Sequence, residues 1–519
     1  MINYKEEIMG EYIISHDLGT SSNKALLVDE RGGVIDYTTE TYPIHYPKIG
    51  YAEQNPDDWW RAVCKTTREL LVKAGVKKEE IVGMTFSNQM LGIVPMNKDG
   101  KLRDAIIWLD ERATREAESM MRKFINSKVF ALLAGAPLTG KDGMPKLLWL
   151  KKNERDIYDK MDLFLDANGY LIYKATGKRV MELSNASVFG IDLKKKDWLR
   201  WIFKYIGIDT KKLPPLVRSD EVVGYLTKEA ANECGLLEGT PIIPGAGDAL
   251  CASVGAGAVD EGDAHVYLGT SGWIGVITRK HPTGKYGIAV IQSAEYDKSF
   301  LFAETETAGE CLRWIKNEFY REESKDPKIE NVYALMDKKV EEIEPGSKFL
   351  IFTPWLYGER APINDPYVRA SFINLSVSHR KEHLLRAVYE GVGYNIRWIV
   401  ERIEKGFKFK IPSLRIIGGG AKGDVWMQII ADITKRKVEV PPNCQERGAI
   451  GAAFIGFIAL KKIESFSSLK KIIKVEKMFL PKEENAKIYD FLYERYKLVY
   501  KKLKGFYRNL NRGIKSLKA

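Results

Sequence analysis

The tetrapeptide Leu-Gly-Thr-Ser occurs twice in this chain, at 18–21 and at 268–271, and each copy lies between two apolar segments. Each pattern predicts a β-hairpin with the tetrapeptide at its turn. A turn of Gly, Thr and Ser presents backbone N–H groups and hydroxyls, which suit phosphate oxygens. Two ordinary hairpins would give the same pattern. Because each half of the chain carries one copy, we interpret the pair as two turns that hold one nucleotide's phosphates from opposite sides.

Each half also contains a strand, a Gly-rich turn and a helix, at 240–255 and again at 414–433. We interpret this as an internal duplication in which the 418–423 turn is the counterpart of the 244–248 turn. Strand-like and helical segments alternate throughout, which indicates the α/β class.

A chain of 519 residues is too long for one hydrophobic core. The small-residue stretch at 255–259 lies between the halves. We therefore predict domains at 1–256 and 257–519, with the ligand site in the cleft between them.

The net charge of +12 suggests a nucleic-acid partner, but its distribution argues against one. Residues 491–519 carry nine Lys or Arg against one acidic residue, which is +8 of the total. Their apolar and aromatic residues recur at helical spacing, so we predict a docked surface helix with a solvated basic face. We expect no nucleic-acid partner.

The first twelve residues have no apolar core of a signal peptide, and the apolar run at 449–460 is too short to span a bilayer. The five cysteines are scattered and contain no Cys-x-x-Cys pair. This usage is typical of reduced thiols, not of a metal site or a disulfide framework. The sequence therefore predicts a cytoplasmic protein with no membrane partner.

Asp17 comes directly before the first Gly-Thr-Ser turn. A carboxylate beside phosphates repels them unless a cation lies between. Mg²⁺ is the cation that one or two carboxylates, water and phosphate oxygens hold together. The alternative is an aspartate that accepts hydrogen bonds from its own turn.

Asp248 follows Gly-Ala-Gly at the start of a predicted helix. The glycines allow a ligand or another backbone to approach closely, and the helix N-terminus stabilises a carboxylate. Such a carboxylate could accept the proton of a substrate hydroxyl while the oxygen attacks phosphorus. An aspartate that caps the helix gives the same pattern, so both interpretations stay open at this point.

Two further segments carry candidate ligands. The Gly-rich turn at 418–423 could lie flat against an adenosine, although the Gly-x-Gly-x-x-Gly fingerprint of dinucleotide folds is not matched in order. Asp110 and Arg112 follow an apolar strand beside Trp108, and a buried group of this kind could line a polyol pocket. A surface salt bridge at the strand end is the alternative.

Taken in order, these motifs resemble the FGGY carbohydrate kinases, within the actin, hexokinase and Hsp70 fold superfamily. The resemblance extends from about Tyr12 to about Leu503. It rests on Asp-Leu-Gly-Thr-Ser-Ser at 17–22, Gly-Tyr-Ala-Glu-Gln-Asn-Pro at 50–56, Met-Pro-Lys-Leu-Leu-Trp-Leu at 144–150, Leu-Gly-Thr-Ser at 268–271, Gly-Glu-Arg-Ala-Pro at 358–362 and the turn at 418–424. It implies two duplicated actin-like (ribonuclease H-like) domains with an interdomain cleft.

The resemblance also implies ATP and Mg²⁺ as cofactors and a small sugar or polyol as substrate. Asp248 would be the general base, and Asp17 would position Mg²⁺ through water. The implied substrate ligands are Gln89, Met90, Leu91, Asp110 and Asp248. The implied nucleotide and phosphate ligands are Asp17, Thr20, Ser21, Lys24, Gly269, Thr270, Gly309, Arg313, Gly419, Gly420, Ala421 and Asp424. A homodimer stays open.

The segment at 87–92 bears on the substrate. Xylulokinases usually have Gln-Met-His-Gly there, and Leu91 replaces the His in this chain. Glycerol kinases have Arg-Glu after their Gln, so Met90 and Leu91 argue against glycerol. The surrounding pattern is most similar to xylulokinase, which implies conversion of D-xylulose to D-xylulose 5-phosphate. The alternatives are a kinase of ribulose, gluconate, glycerol or another polyol, or of the autoinducer-2 precursor. A different class is a nucleotide-driven interaction protein of the actin or Hsp70 kind.

Overall fold

Two mixed β-sheets, one in each half of the chain, organise the fold. The structure is a computed structural model that describes residues 10–123 and 138–517, with side chains through residue 512. The N-terminal sheet has six strands in the order Gly224–Tyr225, Pro241–Gly247, Ile81–Asn88, Tyr12–Leu18, Ser22–Val28 and Val34–Thr41. The C-terminal sheet has seven, in the order Ala289–Gln292, Ser299–Thr305, Gly272–Thr278, Ala264–Leu268, Ser413–Ile417, Lys437–Val440 and Lys477–Phe479.

Helices cover both sheets. In the first half they are Pro56–Ala74, Thr114–Lys123, Gly143–Asn153, Arg155–Lys160, Ala167–Thr176, Leu183–Ser187, Arg200–Ile206, Lys228–Cys234 and Asp248–Ala256. In the second half they are Gly309–Phe319, Arg321–Lys325, Val332–Glu341, Lys381–Phe407, Asp424–Thr434, Arg447–Ala459, Leu469–Ile472 and Glu483–Leu517. Short strands pair outside the main sheets: Glu53–Gln54, Val94–Asn97, Gly100–Lys101, Ala105–Ile106, Leu163–Leu165, Met181–Glu182, Ile191–Asp192, Asp197–Trp198, Leu216–Val217, Ile351–Thr353 and Ser371–Ile373.

The two sheets repeat one topology. In each, three antiparallel strands form a meander, and two further strands add in parallel beside the first strand of that meander. The predicted duplicated α/β fold is therefore confirmed. Both predicted hairpins are present, at the joins of Tyr12–Leu18 with Ser22–Val28 and of Ala264–Leu268 with Gly272–Thr278.

The predicted pairing of the two Gly-rich turns is wrong. Ser413–Ile417 lies next to the first strand of its sheet and so corresponds to Ile81–Asn88. The strand before Asp248, Pro241–Gly247, lies on the far side of Ile81–Asn88 from the first strand of its sheet. It therefore corresponds to Lys437–Val440, which lies on the far side of Ser413–Ile417. Chain order did not reveal sheet position, because long insertions separate the parallel strands of the first half.

The helix Asp248–Ala256 therefore corresponds to Arg447–Ala459, and these two helices pack directly against each other. A Cβ atom added at Gly255 would overlap the carbonyl oxygen of Arg447, and one added at Gly451 would overlap that of Cys251. Glycine is needed at both positions, because only its missing side chain lets the two backbones approach so closely. This helix crossing joins the two halves of the molecule.

The predicted basic helix is present at Glu483–Leu517 and docks on Lys381–Phe407 through aromatic side chains. Tyr493 donates its hydroxyl to Glu401 at 2.7 Å, and Tyr496 donates to Asn395 Oδ1 at 3.1 Å. The docking buries one face and leaves the lysines in solvent, as the periodicity predicts. In the part of the chain that the structure describes, no helix is both long and apolar enough to cross a membrane.

Candidate active site

A cavity of about 1000 Å³ lies between the two halves. Its wall from the first half includes Gly19, Thr20, Gln89, Met90, Leu91, Trp108 and Asp248. Its wall from the second half includes Ser271, Trp273, Glu304, Glu306, Glu359 and Arg360. Both Gly-Thr-Ser turns and Asp248, directly after a strand end, therefore line the same cavity.

The two turns have similar hydrogen bonds. Gly19 donates its backbone N–H to Ser22, and Gly269 donates to Ser271, both at 3.0 Å. The second turn also receives the start of the helix Gly309–Phe319, because Gly309 donates its N–H to the carbonyl of Gly269 at 2.8 Å. The structure therefore brings Gly309 to the second turn.

Asp248 lies where the strand Pro241–Gly247 becomes the helix Asp248–Ala256. The strand turns at Gly245, whose φ of +66° and close contact with the Phe86 carbonyl exclude a side chain. Burial raises the pKa of Asp248 to about 7, and the negative charges of Asp17 and Glu304 add to that rise. At neutral pH this carboxyl is divided between its two protonation states, which suits proton transfer.

Asp17 ends the strand Tyr12–Leu18 beside the first turn. Burial raises its pKa, while a 2.8 Å hydrogen bond from Ser87 Oγ and the charge of Lys24 oppose the rise. Lys24 pairs with Asp17 across the hairpin, and its ammonium lies 3.5 Å from Glu446 of the second half. An acidic and a basic side chain therefore flank the turn.

The segment from Gln89 to Leu91 forms one side of the cavity. Leu91 adopts a left-handed backbone, with φ of +65°. The buried Lys146 donates its ammonium to the Leu91 carbonyl at 3.1 Å and to the Ile107 carbonyl at 2.8 Å. Burial lowers the pKa of Lys146 to about 7. Lys146 supports the wall behind Leu91, a role that the sequence motif at 144–150 did not reveal.

The structure does not bring Asp110 to the cavity. Its carboxylate is fully buried and accepts hydrogen bonds from the Ala52 N–H at 2.6 Å and from the Arg112 guanidinium at 2.7 Å. The guanidinium in turn stacks on Tyr51, 4.0 Å from the ring centroid. This corrects the expectation that Asp110 binds substrate, because local partners already occupy its oxygens. Trp108, which precedes it, does line the cavity.

The third Gly-rich turn lies against the second hairpin. Gly418 has a φ of +91°, and a Cβ there would come within 2.7 Å of the Leu268 carbonyl oxygen. Gly419, Gly420 and Ala421 follow in a 3₁₀ turn. Asp424 begins the next helix and pairs with Lys477 at 2.7 Å, so its carboxylate is held at the surface.

Arg313 is also held at the surface. It lies on the helix Gly309–Phe319 and pairs with Glu310 at 2.6 Å. Of the predicted nucleotide ligands, Gly309 and Gly420 therefore lie at the second hairpin. The charged residues Arg313 and Asp424 are instead held in ion pairs.

Comparison with known families identifies this arrangement. The family model described as the N-terminal domain of the FGGY family of carbohydrate kinases matches residues 12–255, and that of the C-terminal domain matches residues 264–460. The chain belongs to the FGGY family of carbohydrate kinases. It is therefore a phosphotransferase that acts on a carbohydrate, and the resemblance stated from the sequence is confirmed.

Relatives of this FGGY kinase carry two different sugar names. The chain is 33% identical to a xylulose kinase of Bacillus subtilis (strain 168) over 512 residues, which is 98% of this chain and 99% of that protein. It is 31% identical to a gluconokinase of the same organism over 486 residues, which is 93% of this chain and 94% of that protein. The comparisons thus show the family and leave the sugar to be argued from the site.

Solved structures agree with the fold. The xylulose kinase from Lactobacillus acidophilus, solved with a bound ligand, superimposes with a TM-score of 0.87 and 25% identity, covering 96% of this chain and 100% of that one. A gluconate kinase from the same organism gives the same TM-score, identity and coverage.

Sequence reasoning missed the acidic wall of the second half of this FGGY kinase. Arg360 bonds Glu306 through its Nε at 2.6 Å and also pairs with Glu304. Glu359, the preceding residue, is buried, and burial raises its pKa. Gly-Glu-Arg-Ala-Pro at 358–362 contains two of these residues, so the motif itself was the signal. Glu304 and Glu306 belong to no motif and are placed only by the sheet.

Proposed function

We propose that this FGGY kinase transfers the γ-phosphoryl group of ATP to a hydroxyl of D-xylulose, with Asp248 as the general base. The observation that carries the proposal is the Asp248 carboxyl on the wall of the cavity that both Gly-Thr-Ser turns also line, with its pKa raised to about 7. The substrate oxygen attacks the γ-phosphorus, its proton passes to an Asp248 Oδ atom, and the phosphorus–oxygen bond to ADP breaks.

The phosphates would be held by the two turns. In this proposal Thr20, Ser21 and Lys24 bind them from the first half, and Gly269 and Thr270 bind them from the second. The backbone at Gly309 and at residues 419–421 packs on the second hairpin. In this proposal these two segments lie beside the adenosine. Arg313 and Asp424 would reach the nucleotide only by leaving their ion pairs.

The residues beside the first turn fit Mg²⁺. Among the described residues, no three acidic, His or Cys side chains cluster as a metal cage. A single carboxylate that shares the ion with water and phosphate oxygens is a donor set that Mg²⁺ takes at nucleotide sites. When bound, the ion would neutralise phosphate charge, and Asp17 would hold its water ligands.

The charges around Asp248 favour a neutral sugar over an aldonate. Asp17 and Glu304 both add negative charge at Asp248, and Arg360 is already paired with Glu304 and Glu306. A gluconate carboxylate placed beside this base would meet the repulsion of Asp17 and Glu304. Lys141 and Lys194 also line the cavity, so this repulsion applies to a carboxylate next to Asp248 and not to the whole cavity. Met90 and Leu91 supply apolar contact beside it. A neutral ketose such as D-xylulose suits this surface.

The proposal is tested by measuring sugar-dependent ADP formation with D-xylulose, D-ribulose, D-gluconate and glycerol. We expect kcat/KM for D-xylulose to exceed that for D-gluconate by at least about tenfold, the scale of one unfavourable charge contact. Phosphorus NMR of the product should show a 5-phosphate ester. A preference for D-gluconate would contradict the ketose assignment, and ADP formation indifferent to every sugar would contradict the proposed function.

Asp17→Ala should raise the Mg²⁺ concentration needed for half-maximal rate by roughly 10- to 100-fold, the range for losing an outer-shell partner of a metal. The measurement is the initial rate across a Mg²⁺ titration at saturating sugar. Ser87→Ala is the matched control, since it removes one hydrogen bond to Asp17 but keeps the carboxylate. Ser87→Ala should raise the Mg²⁺ concentration for half-maximal rate less than Asp17→Ala does. An unchanged Mg²⁺ dependence in Asp17→Ala would remove the residue from this role.

A further inference from the structure

A buried glutamine connects the first Gly-Thr-Ser turn to the segment from Gln89 to Leu91 on the cavity wall. Gln54 is 1% exposed and donates its Nε2 to the Thr20 carbonyl at 2.7 Å. Its Oε1 accepts the Nε2 of Gln89 at 3.0 Å. One side chain thus bonds the turn proposed to hold phosphates and the segment proposed to contact the sugar.

The direction of these bonds is fixed by Trp59. Its indole N–H lies 3.1 Å from Gln54 Oε1, and an indole N–H can only donate. Gln54 must therefore present its oxygen to Trp59 and its amide N–H to Thr20. Gln89 must then present its own N–H to the same oxygen, because two facing carbonyl oxygens would repel. The orientation of both amides follows from the network.

With both amides in this orientation, the Gln89 side-chain oxygen receives no hydrogen bond. Gln89 is 5% exposed and lies on the cavity wall, and its Oε1 is buried without a hydrogen-bond partner. A buried polar atom without a partner costs free energy, so a donor there is favourable. A small shift of the Gln89 side chain toward the cavity would let a substrate hydroxyl, directly or through one water, complete the network.

A second bond holds the same turn. Trp108 lines the cavity and donates its indole N–H to Thr20 Oγ1 at 2.9 Å. Thr20 is therefore held through its carbonyl by Gln54 and through its hydroxyl by Trp108. Trp108 lies on the cavity wall, and Gln54 lies behind the wall, bonded to Gln89. Movement of this wall on sugar binding would therefore reach the Thr20 turn.

We propose that Gln54 is a positioning residue that makes sugar binding and nucleotide binding strengthen each other. The inference rests on the proposed function, because it takes the Gln89 wall as the sugar side and the Thr20 turn as the phosphate side. Coupling of this kind is reciprocal: the factor by which the sugar tightens nucleotide binding equals the factor by which the nucleotide tightens sugar binding.

The test is calorimetric titration of a non-hydrolysable ATP analogue with Mg²⁺, with and without saturating D-xylulose. In the wild-type protein we expect the sugar to lower the Kd of the analogue by about tenfold, within the usual range of coupling between sites. Gln54→Met removes every hydrogen bond of the amide, including those with Thr20 and Gln89, and should bring the ratio close to one. Gln54→Glu keeps an acceptor for Trp59 and Gln89, and once it is ionised it cannot donate to Thr20. Because burial raises the pKa of a carboxyl, this variant is titrated at alkaline pH beside the wild-type protein, and there it should keep sugar affinity and lose the coupling.

Gln428→Met is the matched control. Gln428 is a glutamine of the second half whose amide bonds Asp432 and the Leu480 carbonyl, and its loss should leave the ratio unchanged. A merely structural role for Gln54 would lower stability or both affinities without moving the ratio. If Gln54→Met does not fold, Gln54→Glu decides. A Gln54 variant that keeps the tenfold ratio overturns the inference and leaves the proposed function intact. A wild-type protein that phosphorylates no sugar overturns the proposed function, and the inference with it.

Discussion

Asp248→Asn should lower kcat by about 10²- to 10⁴-fold, the contribution of a lost general base. The substitution is nearly isosteric. Its amide oxygen can still accept the Ala249 N–H that now bonds Asp248 Oδ1 at 2.7 Å, so the turn and the nucleotide affinity should be retained. Steady-state rates and titration with an ATP analogue separate these two effects. Near-normal turnover would exclude Asp248 as the base.

The pH profile gives an independent check of the same residue. Because the pKa of Asp248 is raised to about 7, the wild-type kcat/KM should fall about tenfold per pH unit below that value. The residual activity of Asp248→Asn should lack this acidic limb. A wild-type profile that is flat from pH 5 to pH 8 would contradict the assignment of the base.

Stability should change in the opposite sense to activity. A carboxyl whose pKa is higher in the folded chain stabilises the fold fully below the ordinary carboxyl pKa, and this stability is lost as the pH rises through the folded value. For Asp248 the loss occurs between about pH 4 and pH 7. Asp248→Asn should therefore melt at a higher temperature than wild type at pH 8 and at a similar one at pH 4. Differential scanning calorimetry at both pH values measures this.

Gly451→Val should destabilise the protein by about 3 kcal/mol, the upper part of the usual range for overpacking a close contact. A Cβ at Gly451 would overlap the Cys251 carbonyl oxygen and the Gly255 nitrogen, which are backbone atoms of the facing helix, so no flexible side chain can move aside. The helices must separate, which also shifts the two cavity walls apart. Denaturant unfolding and kcat/KM should both show the change.

Gly505→Ala is the control for that substitution. Gly505 lies within the helix Glu483–Leu517, and nothing lies within 4 Å of a Cβ placed there. Alanine should therefore stabilise the protein by roughly 0.5–1 kcal/mol through helix propensity. If Gly451→Val were as stable as wild type, the close contact between the two helices would be refuted.

The features that sequence predicted well are local ones. Both hairpins follow from a few residues of alternating apolar and turn character, and the C-terminal helix follows from the spacing of its aromatic residues. The order of sheet strands is not local, so the counterpart of the Asp248 turn was misassigned. Sequence patterns cannot show which of several parallel strands lies next to the first.

In the candidate site, too, sequence revealed the features that depend on neighbouring residues and missed those that depend on distant ones. Asp248 was found because its glycines and its helix start adjoin it in sequence. Asp110 was misplaced because a partner that occupies its carboxylate, the Ala52 N–H, is 58 positions away. Gln54 lies within the 50–56 motif, but the motif did not reveal its role, because its partners Thr20 and Gln89 are distant in sequence. Glu304 belongs to no motif, and its partner Arg360 is 56 positions away. The predicted boundary between residues 256 and 257 stays a prediction.

The helix crossing has a mechanical consequence. The helix that begins with Asp248 reaches its contact with Arg447 at Gly255, about 10 Å further along at 1.5 Å per residue. A rigid rotation of one half against the other about this point moves distant atoms most and nearby atoms least. Asp248, the proposed proton acceptor, lies about 10 Å from this contact and would therefore shift little in such a rotation. A rotation about this crossing would widen or narrow the cavity while Asp248 keeps its place on the wall.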